Sequence, residues 1–250
     1  MRLPEAADLL GVHYQTAYGW VRSGKLPARL VAGGYDIAES DLRAFLADRE
    51  LGRKPAPAIE VRDWTAQVAR LYRAIAEGKE TQARRAMDRL AGAVTMTDLC
   101  DRIIAPALRQ IGDAWQAGVV SIAQEHRATA ICERLIVNHS SQAPGRPHGV
   151  VISATPAGER HAIPALMATA TMRENHWLVH HLGADLPATE ISGLAKTTSA
   201  RIVVLSAVTE EGVASAEQAA VLLHAEIPGI DVLIGKPGDR LADLRRRSRS

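Results

Sequence analysis

Hydrophobic residues in the middle of the chain recur every three or four positions, which is the spacing of one face of an α-helix. Four such stripes follow one another between residues 60 and 142, joined by short links. They predict a four-helix bundle over residues 60–142, and Thr95 with Asp98 three residues later predicts the start of its third helix. The stripes are Val61, Trp64, Val68, Leu71 and Ile75; Ala83, Met87, Leu90 and Val94; Leu99, Ile103, Ala107, Ile111 and Trp115; and Ile122, His126, Thr129 and Ile136.

The pattern changes beyond residue 148, where short apolar runs alternate with helical stretches. Alternation of this kind predicts βαβ units and a parallel sheet. We therefore expect a Rossmann-like domain over residues 148–238, followed by a mobile, arginine-rich basic tail over residues 239–250. The predicted strands are Gly149–Ala154, Trp177–His180, Arg201–Ser206 and Asp231–Gly235.

Residues 1–50 are dense in shorter helical patterns. We predict a helix over Pro4–Leu10, a tight turn at residues 11–13 and a second helix over Tyr14–Ser23, which is the order of helix-turn-helix DNA-binding domains. A Gly-Gly turn inside Leu30–Asp36 predicts a two-stranded wing. The predicted fold class is thus multidomain α and α/β: a winged helix-turn-helix, then a four-helix bundle, then a Rossmann-like parallel sheet.

The second helix of the N-terminal domain predicts a DNA-reading surface. Its apolar residues would face a small core and leave its polar residues facing outward. A glutamine can pair with adenine through two hydrogen bonds, while Tyr and Arg can hold phosphates. Residues 9–35 hold three basic side chains and no acid; a small protein-binding module is the alternative. The predicted DNA-binding residues are Tyr14, Gln15, Tyr18, Arg22, Lys25, Arg29 and Tyr35.

The composition of the whole chain limits these predictions. Its 250 residues suggest two or three domains, and two prolines within residues 51–59 predict a linker. The net charge is only +2, so DNA contact must come from a local patch. Two cysteines argue against a disulfide framework. Because no signal peptide pattern and no apolar run near 18 residues is present, we expect a cytoplasmic protein without a membrane span.

Three residues suited to ligand binding fall at one end of the predicted bundle. Trp115 lies in the last turn of the third helix, and Glu125 and His126 lie near the start of the fourth. An aromatic face can stack on a flat ligand such as a nucleoside, and a carboxylate can accept its hydroxyl protons. The alternative is structural: Trp115 caps the core, while Glu125 and His126 are solvated or paired.

A histidine follows the first predicted strand, in the loop Ser153–His161. The carboxyl edge of an open parallel sheet is where ligands bind, and an imidazole there can ligate a metal. Glu159 is placed to fix the tautomer of His161 and raise its basicity. The alternatives are a surface histidine, or ligation by His180 or His181 at the end of the second strand. No Cys/His cluster has the spacing of a zinc site.

These motifs together resemble one known group of proteins. The segment from Pro4 to Pro27, with the wing and Asp41-Leu42 after it, resembles the winged MerR/excisionase-type DNA-binding domain. Trp115 with Glu125-His126 and the Glu159-Arg160-His161 loop are similar to cobalamin-binding modules, as are Gly183–Pro187 and Ser206. In this order the segments resemble the adenosylcobalamin-dependent light-sensing repressors of the CarH/LitR group.

The resemblance implies a function and site roles. It implies a non-enzymatic repressor that binds operator DNA as a homo-oligomer, a dimer or a tetramer, with adenosylcobalamin in the dark and releases it on photolysis. His161 would be the lower axial cobalt ligand, with Glu159 beside it. The adenosyl group would be enclosed by Trp115, Ile122, Glu125 and His126. Ser206 and Gly235 would lie beside the nucleotide tail of the cofactor.

Some positions depart from the pattern of that group. Pro164 and Lys236 stand where it has glycines, and Gln116 follows Trp115 where some members have a histidine. The sequence predicts four strands where five are usual, so the sheet domain is expected to be truncated at its C-terminus. Two other functions stay open: a regulator whose degenerate sensor binds no cobalamin and acts through protein contacts, and a corrinoid methyl-carrier protein.

Overall fold

The computed structural model describes residues 1–10, 14–22, 24–31, 34–52, 63–91, 93–143 and 145–248. The predicted turn at residues 11–13 and most of the predicted linker lie outside them. The chain divides into two compact units, one made chiefly of residues 1–57 and the other chiefly of residues 58–143 and 147–250. Among the described residues, no helix combines the length and hydropathy that a membrane crossing requires.

The N-terminal unit has the predicted order of helix, helix and wing, and a further helix follows the wing. Its wing strands pair in an antiparallel register that places Leu30 opposite Tyr35. Leu3, Leu26 and Ile37 are fully buried and anchor a small core between the helices and the wing. The elements are α1 (Leu3–Leu9), α2 (Tyr14–Arg22), β1 (Arg29–Val31), β2 (Gly34–Asp36) and α3 (Glu39–Gly52).

Helices fill the first part of the second unit, where the four hydrophobic stripes predict them. The third helix begins at the N-cap Thr95, whose hydroxyl accepts the Asp98 amide at 3.0 Å, as predicted. A π-helical segment, Cys100–Ile104, interrupts this helix. It ends just before Pro106, whose ring disfavours a regular helical turn behind it. The helices are α4 (Trp64–Ala76), α5 (Glu80–Asp88), α6 (Met96–Leu99) continuing into α7 (Ala105–Gln116), and α8 (Ile122–His139).

The remainder of this unit is a four-stranded parallel sheet with helices between its strands, as predicted. The strand order is β4-β3-β5-β6, so the direction of winding reverses between β3 and β5. In open sheets of this type, ligands bind at the carboxyl edge beside that reversal. The elements are β3 (Val150–Pro156), α9 (Ala162–Glu174), β4 (Leu178–Leu186), α10 (Ala188–Thr197), β5 (Ile202–Ser206), α11 (Glu210–Glu226), β6 (Asp231–Gly235) and α12 (Leu241–Arg247).

Two expectations about this unit are wrong. The second strand was expected to end at His180, but β4 continues to Leu186 through irregular pairing with β3, where Gly183 and Asp185 break the apolar pattern. Most of the expected mobile tail is the helix α12. Leu244 is buried against the sheet, and the Asp101 carboxylate accepts the amides of Leu241 and Ala242 at 2.9 and 3.1 Å. A buried leucine and a capped N-terminus give this segment a defined place.

A carboxylate from the sheet half also holds the bundle half in place. Glu174 ends α9, and its oxygens accept the backbone amides of Met96 and Thr97 at 2.7 and 3.3 Å. The same carboxylate accepts the Thr97 hydroxyl at 3.2 Å. Helix α9, which starts directly after His161, is therefore fixed at its far end to the helix that leads to Trp115.

Candidate functional site

The loop after β3 forms a carboxylate–histidine pair. Oε1 of Glu159 lies 2.5 Å from Nδ1 of His161 and accepts the His161 backbone N–H at 2.9 Å. The Glu159 carboxylate is fully buried, whereas the His161 side chain is 59% exposed. Since Nδ1 faces the carboxylate, Nε2 is the ring nitrogen left for a ligand. This is the arrangement in which a carboxylate fixes the tautomer of a metal-binding imidazole.

The second oxygen of Glu159 binds the loop that follows β5. Oε2 accepts the backbone amides of Val208 and Thr209 at 2.8 and 2.9 Å, and the Thr209 hydroxyl at 3.1 Å. Burial by itself would raise the pKa of Glu159. The hydrogen bonds from Thr209, Val208 and His161 outweigh it and hold this pKa at about 2. Glu159 is therefore a buried carboxylate that is ionised at neutral pH and joins the loops on both sides of the strand-order reversal.

A glycine allows this close approach. Thr209 is the N-cap of α11, and its Oγ1 also accepts the amide of Gly212 at 3.0 Å. A Cβ atom at Gly212 would lie 2.5 Å from Oε2 of Glu159, closer than such atoms approach in proteins. The N-terminus of a 17-residue helix next to the carboxylate also favours its negative charge. Sequence reasoning missed Val208, Thr209 and Gly212, and the helix start after β5 was the available signal.

The same loop is tied to β4 on its other side. The Asp185 carboxylate accepts the Gly158 amide at 2.8 Å, and the Asp185 amide donates to the Glu159 carbonyl at 3.0 Å. The Thr155 hydroxyl donates to that carbonyl at 2.6 Å. Asp185 has a positive φ of 62°, which a non-glycine residue rarely adopts. The segment Gly183–Pro187 thus ends β4 and braces the histidine loop.

The two alternative histidines lie within β4 and not at its end. Nδ1 of His181 lies 3.1 Å from the hydroxyl of Thr169, on α9. Burial, and secondarily the nearby Arg173 charge, lower the pKa of His181. His180 is half-buried and pairs in register with Ile152. The described residues bring no three His, Cys, Asp or Glu side chains together, so His161 would be a single protein ligand.

Ser206 and Gly235 are neighbours at the carboxyl ends of β5 and β6, where they pair in register. A Cβ atom at Gly235 would stand 3.8 Å from the Ser206 hydroxyl, so a side chain there would cover it. A cavity of about 380 Å³ opens beside them. Val208, Thr209, Glu210, Val213, Lys236 and Pro237 line it.

The two substitutions at glycine positions of the related group are accommodated locally. Pro164 is the third residue of α9, in the first turn, where the amide needs no partner within the helix. The Lys236 ammonium pairs with Glu217 at 2.7 Å. Lys236 therefore has a carboxylate partner of its own beside the cavity.

The bundle end carries apolar side chains on its surface. Trp115 is 45% exposed and Ile122 is 59% exposed, on either side of a turn in which Gly118 has a φ of 71°. The Glu125 carboxylate accepts the Thr129 hydroxyl at 2.9 Å, and its other oxygen lies 3.7 Å from Nε2 of His126. Trp115 therefore has an exposed aromatic surface, and Glu125 and His126 lie close to each other.

The predicted DNA-binding side chains lie on α2, on the adjoining wing and, for Lys25, in the turn between them. Tyr14 stacks on Tyr18 with ring centroids 6.1 Å apart, and Tyr18 meets Tyr35 edge-on at 5.9 Å. Contrary to the prediction, Tyr18 does not face fully outward: Tyr18 and Tyr35 are half-buried against the core. The outermost predicted residues are exposed, namely Gln15, Arg22, Lys25 and Arg29.

Comparison with known families and solved structures supports both halves of this description. The family described as "Helix-turn-helix domain" matches residues 1–50, and the family described as "B12 binding domain" matches residues 67–137. The solved structure of the Methanosarcina barkeri monomethylamine corrinoid protein is similar to this chain, with a TM-score of 0.57 and 15% identity. The similarity covers 71% of this chain and 94% of the corrinoid protein. The two proteins therefore share a fold.

Two proteins of Myxococcus xanthus are similar to this chain in sequence. The HTH-type transcriptional repressor CarA of Myxococcus xanthus is 24% identical over an alignment of 225 positions that covers 82% of this chain and 76% of CarA. The HTH-type transcriptional repressor CarH of the same organism is 26% identical over 151 residues, 60% of this chain and half the length of CarH. This chain therefore joins a helix-turn-helix domain to a B12 binding domain and is homologous to the repressors CarA and CarH.

Proposed function

We propose that this chain is a cobalamin-binding transcriptional repressor that binds operator DNA with adenosylcobalamin in the dark and releases it after photolysis. One observation carries the proposal. A buried, ionised Glu159 orients His161 at the carboxyl edge of the sheet, in a chain that begins with a helix-turn-helix domain. DNA binding also implies that the protein acts in the cytoplasm.

The donor set fits a corrinoid. When bound, the cofactor supplies a cobalt centre and a light-sensitive cobalt–carbon bond. His161 would offer Nε2 to the cobalt, because its Nδ1–H donates a hydrogen bond to the ionised Glu159 carboxylate. Since the Glu159 carboxylate also binds the amides after β5, the imidazole is held from two strands at once. A rigid ligand loses less conformational freedom on binding.

The side chains at the bundle end are assigned to the upper face of the cofactor. Trp115 offers an exposed aromatic face, and Ile122 adds an apolar contact across the turn. Glu125 accepts hydroxyl protons, and Thr129 holds one of its oxygens. His126 completes this set, while Ser206 and Gly235 are assigned to the nucleotide tail.

The DNA-binding role is assigned to α2 and the wing. Gln15 is assigned to base reading, and Arg22, Lys25 and Arg29 to phosphates, since all four side chains are exposed. Tyr18 positions the wing through Tyr35. A corrinoid methyl carrier shares the fold of the second unit but has no use for such a surface, which favours the regulator.

The cofactor acts as a switch by favouring the homo-oligomer, a dimer or a tetramer, that binds DNA. Moving such an equilibrium from 1:99 to 99:1 requires a differential affinity of about 5.5 kcal/mol. Trp115 would contact the adenosyl group, and loss of that group on photolysis would withdraw this energy. Gln116 is a poorer cobalt ligand than a histidine, so we expect slow or incomplete trapping of the photolysed form.

A visible spectrum of the purified chain tests cofactor binding. Adenosylcobalamin added in the dark should stay with the protein through desalting, and green light should convert its spectrum to that of a photolysed corrinoid. Retention without spectral conversion would leave a cobalamin protein that is not a photoreceptor. If no corrinoid is retained, the sensor is degenerate and the proposal fails.

A further inference from the structure

A groove lined by arginines lies between α4 and α5, on the bundle. It encloses about 430 Å³. Ala74 is buried at its floor, while the polar residues that line it are exposed. The groove is lined by Arg70, Ala74, Gln82, Arg85 and Arg89. Three guanidinium groups thus share one concave surface, with an amide among them.

The two carboxylates of α5 pair with side chains of α8 and not with the arginines of the groove. Glu80 forms a two-pronged pair with Arg134 on α8, with both N–O distances at 2.8 Å. Asp88 lies 3.0 Å from Nε2 of His139, at the end of the same helix. Both acids therefore serve to bind α5 to α8. Within the part of the chain that the structure describes, the arginines of the groove have no ion pair with any carboxylate.

Charge and shape together indicate the class of ligand. Like charges gathered in a groove repel one another and attract a polyanion. Arginine presents planar pairs of N–H donors that match the oxygens of phosphate. Arg85 lies in the last turn of α5, Arg89 is the C-cap residue four positions further on, and Arg70 lies on α4. A phosphodiester backbone carries a phosphate at every nucleotide, so it offers partners to several guanidinium groups at once.

We propose that this groove binds the phosphate backbone of duplex DNA that flanks the sequence read by α2. The inference rests on the proposed function, which brings duplex DNA to this chain. Residues 53–62 separate the two described helices α3 and α4, and ten residues span at most about 35 Å. That reach is about one turn of B-DNA. The groove adds affinity without adding base specificity.

The test compares two charge-matched double variants of the full chain. R85Q/R89Q removes two charges from the groove, and R84Q/R109Q removes two exposed charges outside it. Dissociation constants for a duplex of about 60 base pairs are measured against salt concentration, with adenosylcobalamin in the dark. One duplex carries a sequence that the wild-type chain enriches from a pool of random sequences, and the other carries a random sequence that was not enriched. Circular dichroism checks that both variants keep the wild-type helix content.

R85Q/R89Q should lower the slope of log K against log salt by about 1.8, because each lost phosphate contact removes about 0.9. The same decrease in slope should appear with the selected and the unselected duplex. It should be absent with the shortest selected duplex that the chain still binds, because that duplex lacks the flanking DNA that the groove is proposed to contact. R84Q/R109Q should keep the wild-type slope. Equal slopes for both double variants would overturn the proposal.

Further outcomes separate this inference from the regulator itself. If Arg22→Ala weakens binding to the selected duplex while R85Q/R89Q keeps the same slope as R84Q/R109Q, the proposed regulator function is supported and the groove does not bind DNA. If the chain binds the selected and the unselected duplex equally but R85Q/R89Q still lowers the slope, the groove binds DNA and the proposal of operator recognition is wrong. If R85Q/R89Q changes only the sedimentation of the DNA-free chain, the groove is a protein interface and the proposal is overturned.

Discussion

Gly212 stands so close to Glu159 that a methyl group at position 212 would come within 2.5 Å of the carboxylate oxygen Oε2. That oxygen is held by the amides of Val208 and Thr209, while the other oxygen holds His161. The position of the histidine therefore depends on the absence of a side chain 51 positions further along the sequence.

Gly212→Ala tests this dependence. The added methyl group must displace either the Glu159 carboxylate or the start of α11, so we expect the affinity for cobalamin to fall about 10–100-fold, as when outer-shell partners of a metal ligand are lost. Titration followed by visible absorption measures it. The control is Gly193→Ala in α10, where nothing lies within 4 Å of the added atom. Since alanine favours helix, the control should keep its affinity and gain up to about 1 kcal/mol in stability.

Glu159→Gln keeps the shape of the side chain and removes its charge. The glutamine side chain has one oxygen that accepts hydrogen bonds and one NH₂ group that donates them. It therefore cannot accept from His161 at one end and from the backbone amides of Val208 and Thr209 at the other, so one donor is left facing another donor. The folded-state pKa of about 2 lies below the ordinary value of 4.5, so the ionised carboxylate stabilises the fold above pH 4.5. We expect the variant to lose up to about 3 kcal/mol in its free energy of unfolding at pH 7, at about 1.4 kcal/mol per pKa unit.

Chemical denaturation at several pH values checks this linkage. As the pH falls from 4.5 towards 2, the wild-type chain protonates Glu159 and the difference between the two chains should shrink. A difference that stays constant across this range would show that the charge of Glu159 does not stabilise the fold.

His161→Ala should abolish cobalamin uptake or weaken it at least tenfold, and it should shift the absorption of any complex that remains. Its matched control is His181→Ala, which removes the alternative ligand from the neighbouring strand. We expect this control to keep the wild-type spectrum, because Nδ1 of His181 already contacts Thr169. An unchanged spectrum and affinity in His161→Ala would exclude the axial role.

In the DNA-binding unit, Arg22→Ala and Gln15→Ala should have different effects. Loss of a phosphate contact weakens binding to all sequences about equally, whereas loss of a base contact relaxes the preference at one base pair by about 1–3 kcal/mol. Competition binding with a set of single-base variants of the selected duplex separates the two patterns. A change of preference in Arg22→Ala, with none in Gln15→Ala, would reverse the assignment.

The sequence was sufficient for the order and type of most helices and strands, since buried faces leave periodic apolar positions. It predicted the helix start at Thr95 and the place of His161 after a strand. It failed where tertiary contacts decide the local structure. The helix α12 depends on Asp101, 140 positions earlier, and the end of β4 is irregular around Gly183.

Only part of the candidate site could be predicted from the sequence, for the same reason. The pairing of Glu159 with His161 is local and could be predicted from their separation of two residues. The other partners of Glu159 are backbone amides 49 and 50 positions away, and backbone amides carry no sequence signal. Tyr18 was placed outward because aromatic residues occupy surface and core alike, and its contact with Tyr35 requires the folded wing.

The central claim is that a bound cofactor controls DNA binding, and one measurement tests it most directly. The affinity of the full chain for its selected duplex is measured without cofactor, with adenosylcobalamin in the dark, and after green light on the same sample. We predict tight binding only in the dark with cofactor, and a loss on illumination of up to about 10⁴-fold, the differential affinity that a full shift from 1:99 to 99:1 requires. Equal affinity in all three conditions would contradict the account.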